Sequence, residues 1–230
     1  GANSVDLLTM NGNIYVVFST GSTINAMELS VPSLTVTSLG NIVLSNNIER
    51  ISGTVIKQNE SMLVVSESNG SIYMIPFYTN SSSIFGKAIY VTNGANASIA
   101  YYNNYLYILY IYNKELILSQ MNYNGAIVSQ HNISGNVLGY PSVSISSYGN
   151  LWISFTVQNK SFSNLYLMNT TLNGSWIFSN KISVISVTNY SIESQILIVS
   201  SGNMSKLVLT WVSPTSTSYS VWVLPTTIQW

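Results

Sequence analysis

The sequence predicts an all-β fold that is built from five similar repeats, and three observations favour it. Short apolar segments alternate with turns rich in Gly, Asn and Ser, which is typical of strands and their connections. No stretch keeps an apolar period of 3.6 residues, so the sequence carries no helix signal. A similar apolar segment returns roughly every 45 residues, and a period of this size is typical of arrays of small sheets.

The recurring segment follows a turn and contains one comparable apolar residue in each repeat. The steps between these residues are 48, 44, 45 and 45. The five residues are Ile14, Met62, Leu106, Leu151 and Ile196. We therefore expect them to occupy equivalent, buried positions.

Each period holds four β-rich segments, and the last two repeats show them most clearly. In the fourth repeat they cover residues 141–147, 151–157, 164–172 and 175–182. In the fifth repeat they cover residues 181–187, 195–200, 206–212 and 219–224. In the central segments 105–112 and 14–18 both alternating faces are apolar, so we expect both faces of these strands to be covered.

Four strands per repeat, with both faces of the central strand apolar, resemble the blades of a five-bladed β-propeller across residues 5–225. The resemblance implies one domain over residues 1–230. Its repeats cover approximately residues 5–48, 49–93, 94–138, 139–182 and 183–230. The likeness is one of architecture, because the Asp-box, the Trp-Asp pair and the Kelch double glycine are all missing. The alternative fold is a pair of β-sandwiches that meet near residues 93–97.

Composition excludes several classes of protein. Charged residues make up 6% of the chain and hydrophobic residues 47%. The most apolar segment, residues 105–112, is far shorter than the roughly 20 residues that span a bilayer, so no transmembrane segment is predicted. Seven basic and seven acidic residues are spread along the chain, without the basic patch that a nucleic-acid-binding protein needs. The absence of cysteine excludes disulfides and thiolate chemistry.

Ten Asn-X-Ser/Thr triplets are candidate glycosylation sites, and most of them fall between apolar segments, where a hairpin tip is exposed. Their asparagines are Asn59, Asn69, Asn80, Asn96, Asn132, Asn159, Asn169, Asn173, Asn189 and Asn203. Export of the chain is therefore expected. The composition, poor in charge and rich in Ser, Thr, Asn, Tyr and Ile, also resembles that of glycosylated surface and filament proteins of hyperthermophilic acidophilic archaea. That resemblance implies an extracellular or cell-surface location.

Candidate catalytic and metal-binding residues are few. His131 is the only histidine and Asp6 the only aspartate, so neither a metal site nor a Ser-His-Asp triad is predicted. We interpret His131 as a loop residue beside the Asn132 triplet, and no cofactor is expected. A glycoside hydrolase needs two carboxylates across a sugar, and Asp6, Glu49 and Glu193 are the candidates because they lie near predicted inner strands.

Trp176 and Trp230 are the tryptophans that we expect to be exposed, and they are the candidate residues for contact with a ligand or partner. Trp152, Trp211 and Trp222 fall within predicted strands, where packing between sheets is the ordinary role.

These observations predict a non-catalytic, extracellular, glycosylated domain that acts in adhesion, envelope assembly or filament formation. Its expected partners are other surface proteins, copies of itself, or glycans. The alternatives are a lectin-like carbohydrate-binding propeller and, after it, a glycoside hydrolase. With seven carboxylates in 230 residues, few groups can make stability fall in acid, so we also expect tolerance of low pH.

Overall fold

The computed structural model describes residues 1–159, 162–172, 176–179, 181–188, 193–201, 204–214 and 219–228. In these ranges the chain forms nineteen strands and no helix. The first ten are β1 (Ser4–Met10), β2 (Asn13–Thr20), β3 (Thr23–Ser30), β4 (Thr35–Val43), β5 (Ile48–Lys57), β6 (Glu60–Glu67), β7 (Ser71–Tyr78), β8 (Ile89–Asn93), β9 (Ala95–Tyr102) and β10 (Tyr105–Tyr112). The others are β11 (Glu115–Met121), β12 (Ile127–Ser134), β13 (Val137–Ile145), β14 (Asn150–Asn159), β15 (Phe162–Thr171), β16 (Ile182–Thr188), β17 (Glu193–Ser201), β18 (Met204–Pro214) and β19 (Tyr219–Ile228).

The strands form sheets in chain order. The first sheet contains β1 to β4, the second β5 to β8 and the third β9 to β12. The fourth has seven strands in the order β16-β15-β14-β13-β17-β18-β19. In it, β13 and β17 are joined by one parallel pair, Tyr140 with Glu193. Local pairing with short turns explains the order, because an antiparallel neighbour needs only a hairpin connection.

The boundary between the fourth and fifth repeats differs from the prediction. The segment 175–182 was predicted as a strand, but residues 176–179 have no regular structure. Residues 181–187, predicted as the first strand of the fifth repeat, form most of β16, which instead pairs with β15. The fifth repeat thus contributes three described strands, β17 to β19. Ile196 therefore lies on the first described strand of its repeat, β17, which pairs in parallel with β13. The other four comparable residues lie on the second strands of their sheets.

The chain divides into two compact units. One contains Gly1–Ile108 and Gln120–Ser129, and the other contains Leu109–Ser119 and Gln130–Trp230. The division runs through the third sheet. Whether residues 1–230 act as a single domain remains a prediction.

The core of the first unit lies between the first and second sheets. Leu8, Val17 and Ile24 of the first sheet pack in one buried cluster with Leu63 and Phe77 of the second. The rings of Tyr15 and Phe77 are 6.0 Å apart and meet edge to face, and those of Phe77 and Phe85 are 5.5 Å apart. Burial of these apolar side chains is the main source of stability here.

Both faces of the central strand are covered in the third sheet, as the apolar pattern predicts, and the same is true of the second sheet. On β6, Met62 and Leu63 point to opposite faces and both are buried, and on β10 residues 106–110 are all buried. The prediction is wrong for β2, where Ile14, Val16 and Phe18 are only half-buried. Only one face of the first sheet is covered by the second sheet.

Neighbouring first strands are joined by serine hydroxyls that accept backbone N–H groups, which we call serine joints. The donor–acceptor pairs are Ile51 N to Ser4 Oγ at 3.0 Å, Ile99 N to Ser52 Oγ at 3.4 Å, and Ile196 N to Ser142 Oγ at 3.1 Å. Each of these three joints fixes one first strand beside the next one.

In the second unit, β15, β17 and β18 share an apolar cluster. It contains Leu165, Ile196, Leu209 and Trp211, with Trp152 packed against it. Trp152 and Trp211 thus pack within the protein, as their strand positions predict.

Candidate functional site

Polar and aromatic side chains of the first unit lie where hairpins of the second and third sheets end. We call Lys57, Glu60, Tyr101, Asn104 and Tyr123 the hairpin-end cluster. Lys57 ends β5 and Glu60 begins β6, while Tyr101 lies at the end of β9. Asn104 is in the β9–β10 turn, and Tyr123 is in the β11–β12 connection. In a meander of antiparallel strands, alternate turns lie at the same edge, which brings such residues together.

The β9–β10 turn holds part of the cluster in a fixed geometry. Asn103 and Asn104 have φ values of 49° and 66°. Positive φ at both central residues is the requirement of a two-residue type I′ hairpin turn, and asparagine adopts this conformation more readily than most residues. The turn therefore places Tyr101 and Asn104 side by side.

The cluster contains a charged pair and a pair of neighbouring aromatic rings. Lys57 Nζ lies 3.3 Å from Glu60 Oε2. Tyr101 donates its hydroxyl to Asn104 Oδ1 at 3.4 Å, and the rings of Tyr101 and Tyr123 are 6.1 Å apart with a tilt of 43°. The side chains of Lys57 and Glu60 are 72% and 26% exposed, so a ligand in solution can reach them.

The surroundings of Tyr123 favour its protonated form. Burial raises the pKa of Tyr123 above its ordinary value, and the hydrogen bond with Tyr101 and the negative charge of Glu60 raise it further. Tyr123 therefore keeps its O–H at physiological pH. Together the five side chains offer a carboxylate acceptor, hydroxyl donors, an ammonium group, an amide and two ring surfaces.

Sequence reasoning missed this cluster. The sequence pattern singles out neither Glu60 nor the two tyrosines. The available signal was the recurrence of asparagine-rich turns at equivalent places, Gln58-Asn59 in one repeat and Asn103-Asn104 in the next.

The predicted glycosylation sites fall into three groups. Four asparagines are exposed: Asn69, Asn80, Asn132 and Asn159. Three are half-buried: Asn59, Asn96 and Asn169. The remaining three, Asn173, Asn189 and Asn203, lie outside the described residues. Modification at any of the ten remains a prediction.

Two of these asparagines are held by side-chain contacts. Asn59 Oδ1 accepts hydrogen bonds from Asn11 Nδ2 and from Thr79 Oγ1, the latter at 3.2 Å. Asn132 Nδ2 donates to Glu115 Oε2 at 2.8 Å. Asn132 is exposed, and a modification of its amide would displace this contact with Glu115.

Trp176, predicted as an exposed contact residue, is half-buried and stacks on His131. Their ring centroids are 4.4 Å apart at 25°, and Phe178 lies 6.4 Å from the imidazole. His131 is on strand β12 and not in a loop, because the Gln130-His131-Asn132 segment continues the strand. Trp230, the other predicted contact residue, lies outside the described residues.

The three acids proposed for glycoside hydrolysis have different surroundings. Asp6 Oδ2 accepts the N–H of Gly53 at 2.5 Å, and Oδ1 accepts that of Leu7 at 2.9 Å. Glu49 is exposed, and the Glu193 side chain lies outside the described part. Among the described side chains, no three acids or histidines lie close enough to hold a metal ion. Asp6 therefore serves as a structural acceptor between the first two sheets.

Asp6 should make the fold more tolerant of acid. Burial raises the pKa of Asp6 above its ordinary value of 3.8, against the opposing effects of the Gly53 and Leu7 N–H groups and of Arg50. The folded state then binds this proton more tightly than the unfolded state. The resulting stabilisation is complete below pH 3.8 and is lost as pH rises through the folded pKa.

We therefore compare the melting temperatures of wild type and Asp6→Asn. The melting temperature of wild type, relative to that of Asp6→Asn, should be higher at pH 3 than at pH 7. Thermal melts followed by circular dichroism measure it. Exposed Glu49→Gln is the control, for which the difference should stay near zero. A difference for Asp6→Asn that shrinks in acid would contradict the assigned role.

The structure is similar to several solved proteins of low sequence identity. AofleA from Arthrobotrys oligospora, solved as a triple arginine-to-alanine variant, matches with a TM-score of 0.63 at 7% identity, over 99% of this chain and 75% of that one. The Aleuria aurantia lectin in complex with Fucα1-6GlcNAc matches with a TM-score of 0.56 at 17% identity, over 79% and 63%. The WD40 domain of Toxoplasma gondii coronin matches with a TM-score of 0.52 at 9% identity, over 84% and 48%.

The predicted all-β, propeller-like fold is confirmed by the sheets and by these similarities. The chain spans less than two thirds of the Aleuria aurantia lectin. No protein-family model matches the sequence, and no curated protein matches it. Within the described residues, there is no helix of the length and apolarity needed to cross a bilayer.

Proposed function

We propose that this protein binds carbohydrate, the lectin-like alternative that the sequence left open. The observation that carries the proposal is the hairpin-end cluster, in which the rings of Tyr101 and Tyr123 lie 6.1 Å apart and the negative charge of Glu60 acts on Tyr123. The fold similarity to a lectin bound to Fucα1-6GlcNAc adds support.

The chemistry of the cluster matches that of a sugar. One face of a pyranose presents C–H groups that pack on an aromatic ring, and its edge presents hydroxyls that both donate and accept. Glu60 accepts from hydroxyls, while Tyr123 donates to a sugar oxygen. Lys57 balances the charge of Glu60 at 3.3 Å, so a neutral sugar suits the cluster best.

We propose binding without cleavage. Hydrolysis of a glycosidic bond requires two carboxylates held roughly 5–9.5 Å apart across the sugar. The hairpin-end cluster contains one carboxylate, and that one is paired with an ammonium group. Glu60 accordingly acts as a hydrogen-bond acceptor for the ligand.

Glycan-array screening followed by calorimetry with the best ligand tests the proposal. Glu60→Gln replaces a charge-assisted hydrogen bond, worth about 1.5–3 kcal/mol, by a neutral one worth about 0.5–1.5 kcal/mol, so it should weaken binding by roughly 5- to 10-fold. Tyr123→Phe removes one neutral donor and should weaken binding by about 3- to 10-fold.

The matched control is Tyr112→Phe, which removes a hydroxyl from an exposed tyrosine outside the cluster. It should leave affinity unchanged. Failure to bind any glycan, or equal affinity in wild type and Glu60→Gln, would refute the proposal.

We further propose that the protein is an extracellular glycoprotein that acts in adhesion. The exposure of Asn69, Asn80, Asn132 and Asn159 supports this, because an oligosaccharide must be added to an accessible amide. Intact mass spectrometry of native material should give a mass above the 25.2 kDa of the polypeptide. The bare polypeptide mass would contradict it.

A further inference from the structure

The first sheet has one face without a partner in its own unit. Leu8 and Val17 point to the face that packs on the second sheet. Val5 and Leu7 alternate with Leu8 along β1 and point to the opposite face. The strand register extends this face across the sheet: Val5 is paired with Phe18, Leu7 with Val16, and Val16 with Met27. On the edge strand, Leu29 is paired with Val36. We call the surface formed by Val5, Leu7, Val16, Phe18, Met27 and Val36 the back face.

The back face carries no charge; its residues on β1 and β4 are exposed, and those on β2 and β3 are half-buried. The exposed fractions are 58% for Val5, 63% for Leu7 and 63% for Val36. The polar residues that share these strand positions, such as Thr9 and Asn25, are neutral. Scattered apolar residues on a surface are normal, but several on one face of one sheet mark an interaction surface.

The interface inside the first unit shows which kind of surface covers such a face. The equivalent face of the second sheet, formed by residues such as Leu63 and Phe77, is covered by an apolar four-stranded face of the first sheet. A suitable partner is therefore another apolar sheet face. In a second copy of the chain, the other face of the first sheet is already covered by its own second sheet. Its back face is open.

We propose that the back face of the first sheet is the interface of a two-fold symmetric homodimer. Such an interface is self-complementary, because the same patch meets itself. Two uncharged, twisted sheets pack face to face about 10 Å apart, and no charge has to be desolvated. This proposal is independent of the carbohydrate site.

The size of the face sets the expected strength. Four strands spaced about 4.8 Å apart, with about eight residues each, give a face on the order of 500 Å². Two copies would bury roughly 1,000 Å², the lower limit for a specific interface. We therefore expect a weak dimer with a dissociation constant on the order of 10 µM.

Analytical ultracentrifugation between about 0.5 and 200 µM tests the proposal, since this range brackets the expected constant. Wild type should change from monomer to dimer. Leu7→Lys places two like charges across the symmetry axis and should remain monomeric. Val128→Lys, at a position 50% exposed on β12, is the matched control and should dimerise as wild type does. A wild type that stays monomeric, or a Leu7→Lys variant that still dimerises, would overturn the proposal.

A second variant removes any dependence on how well Leu7→Lys folds. The chain has no cysteine, so Leu7→Cys and Val128→Cys each carry a single thiol and keep the site uncharged. A short bis-maleimide should cross-link Leu7→Cys into dimers and leave Val128→Cys monomeric. Equal cross-linking of the two variants, or slow labelling of Leu7→Cys in dilute monomer, would refute the interface.

Discussion

Phe77→Ala is expected to destabilise the first unit by about 3–5 kcal/mol, the usual cost of removing a fully buried phenylalanine. Phe77 is 0% exposed, and its ring contacts those of Tyr15 and Phe85 between the first and second sheets. The cavity would lie in the middle of this core, where four-stranded sheets on both sides limit relaxation. At about 2–4 °C per kcal/mol, the melting temperature should fall by roughly 6–20 °C.

Chemical denaturation followed by near-ultraviolet circular dichroism measures the change. Phe77→Leu keeps much of the side-chain volume, so its loss of stability should be less than half of that of Phe77→Ala. Phe162→Ala, at a site 51% exposed, should change stability by less than about 0.5 kcal/mol. Equal losses for Phe77→Ala and Phe162→Ala would show that the core is not where the structure places it.

Glu67→Ala is expected to lower the free energy of unfolding by about 2–3 kcal/mol, because it removes hydrogen bonds and not because it removes apolar packing. Glu67 is 1% exposed, and its carboxylate accepts Asn46 N at 3.1 Å and Asn46 Nδ2 at 3.0 Å. Next to it, Ser68 N donates to Asn47 O at 2.8 Å. These bonds hold the connection from β4 to β5 against the end of β6, and alanine would leave two donors without their acceptor.

Glu67→Gln separates the hydrogen bonds from the volume, because it keeps one acceptor in the same place. It should cost about 1 kcal/mol less than Glu67→Ala in the same denaturation experiment. Glu49→Ala, which truncates an exposed glutamate, should have almost no effect. If Glu67→Ala behaved like Glu49→Ala, the buried carboxylate would have no structural role.

Strand positions were predictable because they depend on local alternation of side chains. The segment 105–112 was predicted as a strand covered on both faces and is β10, with Leu106 to Tyr110 buried. Its length, its lack of charge, the Asn103-Asn104 pair before it and Asn113 after it are all local signals. The same signals predicted segments 195–200 and 206–212, which lie within β17 and β18.

Strand partners and the candidate site were not predictable in the same way. The alternation in residues 182–188 indicates a strand but does not show that Ile185 lies opposite Leu165 instead of joining β17. Likewise, Glu60 and Tyr123 are more than sixty residues apart in the sequence. The charge of Glu60 acts on Tyr123 only because of the arrangement of the second and third sheets. Trp176 looked exposed because it follows a glycine turn, but His131 from a distant strand covers one of its faces.

The serine joints affect how easily a repeat can be added to such a chain. Each joint requires only a small hydroxyl on one first strand and a backbone N–H on the next, as in Ser4 with Ile51 and Ser52 with Ile99. Every residue except proline supplies that N–H, whatever its side chain. A duplicated repeat that keeps its serine can therefore form the same hydrogen bond with the next first strand, whatever side chains that strand carries. The serine joints thus place little demand on the sequence of the neighbouring repeat.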